Sequence, residues 1–326
     1  MNLRATLFAA AAAVSLAAIP HAAMAADYTL RLGHVLAPTD PLSIAAEGMK
    51  KSIEERTDGN VEVQIFTNSQ LGDTQDMVDQ AQAGANVGTF GDASRFGQFV
   101  PAFNVLAAPY AFASVEELDD FVNGPTFAKW NEELAAKTGL TILSFDWYQG
   151  ARNMLTQRPI TTPADLEGVR IRTIGQPLWI ATIGAMGAVP TPLAWAEVYP
   201  SIQTGVIDGA EAQPAAIWGA KLFEVVSDIT VTEHIYLMSG LVVSDAWFKS
   251  LPEEYQAIVK EEAVRWGKEA LKMNVEGADK IFADIEATGV KVAHIDTTPF
   301  REAVKPVYEE LGLTDLIAEV QKEVMN

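Results

Sequence analysis

YTLRLGHVLAPTDPLSIAAEGMKKSIEERTDGNVEVQIF, residues 28–66, reads as a strand, a helix and a second strand. Residues 28–33 alternate in polarity, the two prolines of 38–41 end that run, and apolar residues then recur at helical spacing up to residue 53. Polarity alternates again over 61–66. Because two parallel strands need a crossover connection, this β-α-β rhythm predicts a parallel sheet.

A second series of the same kind follows the strand predicted at 141–145. It contains a predicted strand at 169–173, a helix at 178–186 and a short extended piece at 189–192. The uncharged segment 177–196 could be taken for a membrane span, but its three prolines favour a short buried helix followed by a core strand. Two such units, in a chain long for a single core, predict an α/β protein with two lobes.

A long stretch without proline follows Pro252 and extends to about residue 287. It is rich in Glu, Lys, Ala and Ile and much longer than the usual helix of about 11–12 residues. A proline fits the start of such a helix. We expect a strut that crosses both lobes; the alternative is two helices broken at Gly267 or Gly277.

The N-terminus predicts export. One positive charge within Met1–Arg4 precedes an apolar run at 7–19 and a small-x-small pattern at Ala23-Met24-Ala25. A membrane anchor is the alternative, but the run is shorter than the roughly 20 residues that cross a bilayer. The chain has no cysteine, which excludes a lipid-bearing cysteine, disulfides and thiolate chemistry. We expect a signal peptide at 1–25 and a mature protein in the periplasm.

The charge balance limits the possible partners. The chain has 23 Lys and Arg against 43 Asp and Glu, a formal net charge of −20. Such a polyanion repels nucleic acid and anionic lipid. Any site for an anion must therefore concentrate positive charge locally, which makes the few well-placed arginines the residues of interest.

Enzyme motifs are lacking from the sequence. It has no Gly-x-Ser-x-Gly, no His-Glu-x-x-His, no phosphate loop with lysine and no Gly-x-Gly-x-x-Gly after a strand. His34, His234 and His294 lack the spacing of metal ligands. We therefore expect no catalytic residue, no metal and no cofactor, and a binding protein rather than an enzyme.

Isolated arginines beside aromatic residues stand out between 152 and 213. Arg152 follows the Asp146-Trp147-Tyr148 turn, and alternation places Arg170 and Arg172 on one face of the strand at 169–173. An arginine in an apolar strand is costly unless it is paired. A ligand carboxylate suits its two parallel N–H donors. The alternative is a structural ion pair with one of three carboxylates, Glu197, Asp208 or Glu211.

The mature chain resembles the substrate-binding subunits of TRAP transporters, the tripartite ATP-independent periplasmic family. Each motif is short, but their order and spacing along the chain are specific. The motifs are Gln70-Leu71-Gly72-Asp73, Arg158-Pro159, Pro163-Ala164-Asp165-Leu166-Glu167-Gly168, Arg170-Ile171-Arg172, Pro190-Thr191-Pro192, Glu197-Val198-Tyr199 and Val206-Ile207-Asp208-Gly209-Ala210-Glu211.

The resemblance implies a two-lobe periplasmic binding protein fold with a hinge and a long helix spanning both lobes. We expect lobe I to comprise 26–149 and 238–277, and lobe II to comprise 150–237 and 278–326. The implied function is capture of a small organic acid for ion-coupled uptake through a small and a large membrane subunit. A protein that serves a sensor is the alternative, and we expect a monomer.

The resemblance also implies which residues bind the ligand. Arg172 holds the carboxylate, Arg152 is a second arginine, and Trp195 stacks on the ligand. Asp92 and Arg95 contact it from lobe I. The remaining expected contacts are His34, Thr74, Trp147 and Gln213.

Departures from the family pattern bear on the ligand. Many members have an Asn after the Asp-Gly-x-Glu motif, where this chain has Ala212 followed by Gln213, so that polar contact is either lost or supplied by Gln213 from a shifted position. Val35 replaces a polar residue of the sialic-acid group, and sialic acid is disfavoured. The arginines and Asp92 suit a hydroxylated acid such as a uronate. The aromatic residues also permit an aromatic, keto or hydroxy acid, and Trp147 and Trp218 fit the core equally well.

Overall fold

The computed structural model describes residues 26–324, and the predicted signal peptide at 1–25 lies outside them. The described chain contains eleven strands and eleven α-helices. The strands are β1 (Tyr28–Gly33), β2 (Val61–Phe66), β3 (Val87–Asp92), β4 (Leu140–Ala151), β5 (Asn153–Thr156), β6 (Arg170–Thr173), β7 (Val189–Pro192), β8 (Gly209–Ala212), β9 (Asp228–Val231), β10 (Tyr236–Ser244) and β11 (Lys291–His294). The helices are α1 (Pro41–Arg56), α2 (Thr74–Gln82), α3 (Val115–Val122), α4 (Pro125–Thr138), α5 (Pro177–Ala185), α6 (Val198–Gln203), α7 (Pro214–Gly219), α8 (Asp245–Ser250), α9 (Glu253–Glu286), α10 (Thr298–Glu310) and α11 (Thr314–Val324).

The first sheet has the strand order β2-β1-β3-β10-β4. β1 pairs in parallel with β2 and β3, which confirms the parallel pairing predicted from residues 28–66. β10 was not predicted; it runs antiparallel to both β3 and β4 and makes the sheet mixed. One side of this sheet packs on α1 and α9 through a core that includes Leu32, Met49 and Val259.

The second sheet has the order β11-β9-β5-β8-β6-β7. β6 pairs in parallel with β7 and β8, whereas β5 is antiparallel to β8 and β9. Within the uncharged segment 177–196, the predicted short helix is confirmed as α5. The expectation of a core strand is wrong, because β7 forms the edge of the sheet and its Val189 is 46% exposed. Pro190 and Pro192 lack the N–H donors that a central strand needs. No helix among residues 26–324 combines the length and apolarity of a membrane span.

Two short chain segments join the sheets side by side. Arg152 connects β4 to β5, and residues 232–235 connect β9 to β10. The Arg152 N–H donates to the Ile235 carbonyl at 2.9 Å, and the His234 N–H donates to the Arg152 carbonyl at 3.2 Å. These paired segments form a narrow hinge between the sheets. The predicted lobe boundaries stay a prediction. Helix α11, which they assign to lobe II, packs on α3, which they assign to lobe I.

Helix α9 runs unbroken for 34 residues, so the alternative of two helices is wrong. It packs on β4 and α1 beside the first sheet and on α7 and β11 beside the second. It lies close to β4 at Gly267, where an added Cβ would be 2.9 Å from the Asp146 Cβ. The missing side chain at Gly267 lets the strut lie flat against the strand.

We expect Gly267→Ala to lower the free energy of unfolding by about 1–3 kcal/mol because the added methyl group overpacks this contact. Gly277→Ala is the matched control in the same helix, since its added methyl meets no atom within 4 Å. Alanine's higher helix propensity should raise stability there by up to about 1 kcal/mol. Urea denaturation of the ligand-free variants measures both changes, and stabilisation by both would contradict the close packing of α9 on β4.

Candidate functional site

A cavity lies beside the hinge, between the two sheets. The space not filled by protein atoms, including the open solvent at its mouth, is about 580 Å³. Eight of the nine residues predicted as ligand contacts line it: His34, Thr74, Asp92, Arg95, Arg152, Arg172, Trp195 and Gln213. Residues far apart in sequence thus meet at one place.

Trp147 is the predicted contact that does not line the cavity. Its side chain is fully buried, its indole N–H donates to the Ser144 hydroxyl at 3.0 Å, and its ring packs 4.5 Å from that of Phe90. Phe90 does line the cavity, so Trp147 supports the wall from behind. Trp218 also lies away from the cavity, stacked on Phe223 at the surface.

The three carboxylates considered as structural partners are engaged elsewhere. Asp208 pairs with Arg170 at 2.7 Å, on a half-exposed part of β6. Glu211 pairs with Arg152. The Glu197 carboxylate accepts the Ala194 N–H at 3.2 Å. None of them pairs with Arg172.

Arg172 is a buried cation without an ion-pair partner among residues 26–324. Its side chain reaches the cavity from β6, and its Nε–H donates to the Leu193 carbonyl at 2.9 Å. Its two Nη groups have no hydrogen-bond partner in this part of the chain, and the guanidinium carbon lies 5.4 Å from the Trp195 ring. Burial lowers the pKa of Arg172 to about 10, so it stays charged at neutral pH and requires an anion.

Arg152, by contrast, has its charge neutralised within the protein. Its Nε–H donates to Glu211 Oε2, its Nη1 to Gln213 Oε1 at 2.6 Å, and its Nη2 to the Glu211 carbonyl at 2.5 Å. Burial alone would raise the pKa of Glu211, but the charge of Arg152, its hydrogen bond and the His234 ring 3.7 Å away lower it to about 2. The structural ion pair that the sequence left open for these arginines therefore occurs at Arg152, with Glu211, and at Arg170, with Asp208.

Asp92 and Arg95 form a second compensated pair on the first-sheet side. The Arg95 Nε–H donates to Asp92 Oδ2 at 2.7 Å, and the Ser94 hydroxyl donates to Asp92 Oδ1. Arg95 Nη1 also donates to Gln75 Oε1 at 3.1 Å. Both side chains are buried, and together they add no net charge to the cavity.

Neutral polar groups and the half-buried Asp73 complete the wall. Gln149 and Ser239, which the sequence did not identify as ligand contacts, line the cavity beside Gln213. Burial lowers the pKa of His34 to about 4, which leaves its ring uncharged at neutral pH. No group of three or more His, Asp or Glu side chains within 26–324 is placed to hold a metal ion.

Contacts across the cavity show that the two sides are closed on each other. From the second-sheet side, the Gln176 amide donates to Gln75 Oε1 at 3.2 Å, and the Trp179 indole N–H donates to the Ser94 hydroxyl at 2.9 Å. Trp179 also lies under Arg152, with the guanidinium carbon 5.1 Å from its ring. The closed arrangement encloses Arg172 together with the polar wall.

Known proteins are similar to this one over nearly the whole chain. Residues 32–315 match the family model of bacterial extracellular solute-binding protein, family 7. The 2,3-diketo-L-gulonate-binding periplasmic protein of Escherichia coli K12 is 31% identical over 97% of this chain and 96% of its own length.

Solved structures share the fold in open and ligand-bound forms. An open apo TRAP periplasmic solute-binding protein of Escherichia fergusonii is 43% identical, with a TM-score of 0.79 over 90% of this chain and 99% of its own. A protein of Ochrobacterium anthropi with bound L-fuconate is 28% identical, with a TM-score of 0.88 over 92% of this chain and 100% of its own. Others hold L-galactonate, D-glucuronate or β-D-galacturonate.

Proposed function

Because this chain belongs to bacterial extracellular solute-binding protein family 7, we propose that its cavity captures the monoanion of a hydroxylated sugar acid. The chain is a periplasmic solute-binding protein that works with the membrane subunits of a TRAP transporter. The TRAP resemblance and the two-lobe α/β fold predicted from the sequence are confirmed. The identity of the acid and the residues that bind it are the proposal.

The unpaired charge of Arg172 is the observation that carries this proposal. Of the three buried arginines at the cavity, Arg95 is balanced by Asp92 and Arg152 by Glu211. One carboxylate would supply the anion that Arg172 lacks, through two parallel N–H···O bonds. A dicarboxylate or a phosphate dianion would bring a further negative charge into a site without a second uncompensated cation, and burying such a charge is costly.

The rest of the cavity wall favours hydroxyl groups. Gln149, Gln213, Ser239 and Thr74 are neutral hydrogen-bonding residues, and His34 is uncharged at neutral pH. Hydroxyl groups both donate and accept, so they can pair with each of these side chains. Trp195, stacked on Arg172, would cover the carboxylate end of the acid.

The similarity to solved relatives also fits a ligand-bound form. The TM-score is higher against the L-fuconate complex than against the open apo structure, although the open protein has the higher sequence identity. In the proposed mechanism the acid first binds to Arg172 on the second-sheet side. The first-sheet side then closes, because only the closed form makes both sets of contacts.

We expect thermal stabilisation of the purified protein by L-galactonate, L-fuconate, D-glucuronate or D-galacturonate. An acid present at 100 times its Kd should add about 2.7 kcal/mol to the free energy of unfolding. The protein is first unfolded and refolded to remove any acid carried over from the cells. Melting curves and calorimetric titration then give the change in Tm and the Kd.

The same panel contains the competing ligand classes. Succinate represents dicarboxylates, sn-glycerol 3-phosphate represents phosphate esters, pyruvate represents small keto acids and 4-hydroxybenzoate represents aromatic acids. Stabilisation by one of these four and by no sugar acid would contradict the proposal. Recovery of the circular dichroism spectrum shows that the refolded protein is native. The absence of a Tm shift then means that the acid does not bind.

Binding without turnover is the second part of the proposal. The cavity holds compensated arginine–carboxylate pairs and an uncharged His34, and these residues do not include a nucleophile paired with a base. We expect the acid to be recovered unchanged after prolonged incubation with the protein, as measured by NMR of the released ligand. Release of a modified acid would identify an enzyme.

A further inference from the structure

Four residues of the cavity wall form a continuous chain of hydrogen bonds. Arg152 Nη1 donates to Gln213 Oε1 at 2.6 Å, Gln213 Nε2 donates to Gln149 Oε1 at 3.1 Å, and Gln149 Nε2 donates to the Ser239 Oγ at 2.7 Å. All four residues are at least nine-tenths buried and line the cavity. This chain of hydrogen bonds runs from the hinge and α7 to two strands of the first sheet.

The direction of this chain is fixed at one end. A guanidinium has N–H donors and no acceptor, so the oxygen of Gln213 must face Arg152 and its NH₂ must face Gln149. The same logic turns the NH₂ of Gln149 towards Ser239. The Ser239 oxygen is therefore an acceptor for Gln149, and its own proton has no acceptor among residues 26–324.

We propose that Ser239 is a specificity-determining residue whose hydroxyl donates to a hydroxyl oxygen of the bound acid, and that Gln149 and Gln213 are positioning residues that set this direction. Ser239 lies on the first sheet, whereas Arg172 lies on the second. The oxygen that Ser239 meets therefore belongs to the polyol part of the acid and not to the carboxylate.

Two consequences follow for selectivity. An ammonium group at this place has no lone pair to accept the Ser239 proton, so amino-substituted acids are disfavoured relative to hydroxy acids. Gln213 lines the wall and also holds Arg152 and Gln149 in place, so its substitution should weaken the Ser239 contact as well. This inference rests on the proposed binding of a sugar acid.

The test compares L-galactonate with its five monodeoxy analogues, of which L-fuconate lacks the C6 hydroxyl. Calorimetry gives the Kd of each acid for the unmodified protein, Ser239→Ala and Gln149→Met. One of the five analogues lacks the hydroxyl group that Ser239 contacts. For the unmodified protein, we expect the ratio of the Kd of that analogue to the Kd of L-galactonate to be about tenfold larger than the ratios for the other four, which is the value of one hydrogen bond. Ser239→Ala should remove that excess preference and leave the remaining ratios unchanged, and Gln149→Met should reduce the same ratio.

Ser144→Ala is the matched control. Ser144 is a buried serine of the same sheet that donates to the Ala263 carbonyl and accepts the Trp147 indole N–H, and it does not line the cavity. Its loss should lower Tm without changing any of the five ratios. A purely structural role for Ser239 would give the same pattern.

The possible failures are distinguishable. Binding of L-galactonate with the same five ratios in Ser239→Ala as in the unmodified protein overturns the role of Ser239 and leaves the sugar-acid proposal standing. Absence of binding by all sugar acids to the unmodified protein overturns the proposed function and this inference together.

Discussion

Replacing Arg172 with alanine is expected to weaken sugar-acid binding by about 2–5 kcal/mol, roughly 30- to 5,000-fold in Kd. The guanidinium is the uncompensated buried cation of the cavity, and without it the carboxylate would be desolvated with no partner. The ligand-free variant should unfold at the same Tm or a higher one, because an unpaired buried charge is removed. Calorimetric titration and melting curves measure the two quantities.

Arg170→Ala is the matched control on the same strand. Arg170 lies two residues earlier, pairs with Asp208 at a half-exposed position, and does not line the cavity. Its Kd should equal that of the unmodified protein. Arg172→Lys, which keeps the charge but lacks the planar pair of donors, should give an intermediate loss. Unchanged affinity in Arg172→Ala would remove the basis of the proposed function.

Replacing Arg152 with alanine is expected to act on stability first. The Glu211 carboxylate, which is 0% exposed, would lose its counter-ion and stay buried. Removing one member of a buried ion pair typically costs about 3–5 kcal/mol. Urea denaturation of the ligand-free protein should show this loss in the free energy of unfolding, in contrast to the neutral or positive effect at Arg172.

A double variant distinguishes the effect of the unpaired Glu211 charge on stability from the effect of removing the Arg152 side chain. Arg152→Met combined with Glu211→Gln removes both charges while an amide remains to accept from the Thr173 hydroxyl, which lies 3.2 Å from Glu211 Oε1. We expect the double variant to recover more than half of the stability lost in Arg152→Ala. A double variant as unstable as the single one would show that the buried charge of Glu211 is not the cause.

Local sequence patterns predicted the elements whose signals lie within one segment. The β-α-β rhythm of residues 28–66 and the proline-free run after Pro252 appear in the structure as β1-α1-β2 and α9. β10 was missed because Tyr236–Ser244 is mostly apolar and shows no alternation, and its partners β3 and β4 lie far away in the sequence. A strand buried on both faces carries no period-2 signal.

The site was predictable in composition but not in pairing. The sequence brought Arg152 and Arg172 to one place, yet it could not assign Glu211 to either of them, because that choice depends on the register of β5 against β8, 59 residues apart at this pair. Trp147 was expected at the cavity. The strand β4 has one extra residue opposite Leu237 and Met238, at Gln149, and such a bulge redirects side chains in a way that alternation cannot reveal.

The paired hinge segments, helix α9 and the return of α11 to α3 mean that the chain passes repeatedly between the two halves of the molecule. Neither half corresponds to a contiguous gene segment. A ribosome must therefore synthesise residues of both halves before either sheet has all of its strands, and a single recombination crossover cannot exchange one half for that of a relative. New ligand preferences in such a protein are expected to arise by point substitution in the cavity wall rather than by shuffling of modules.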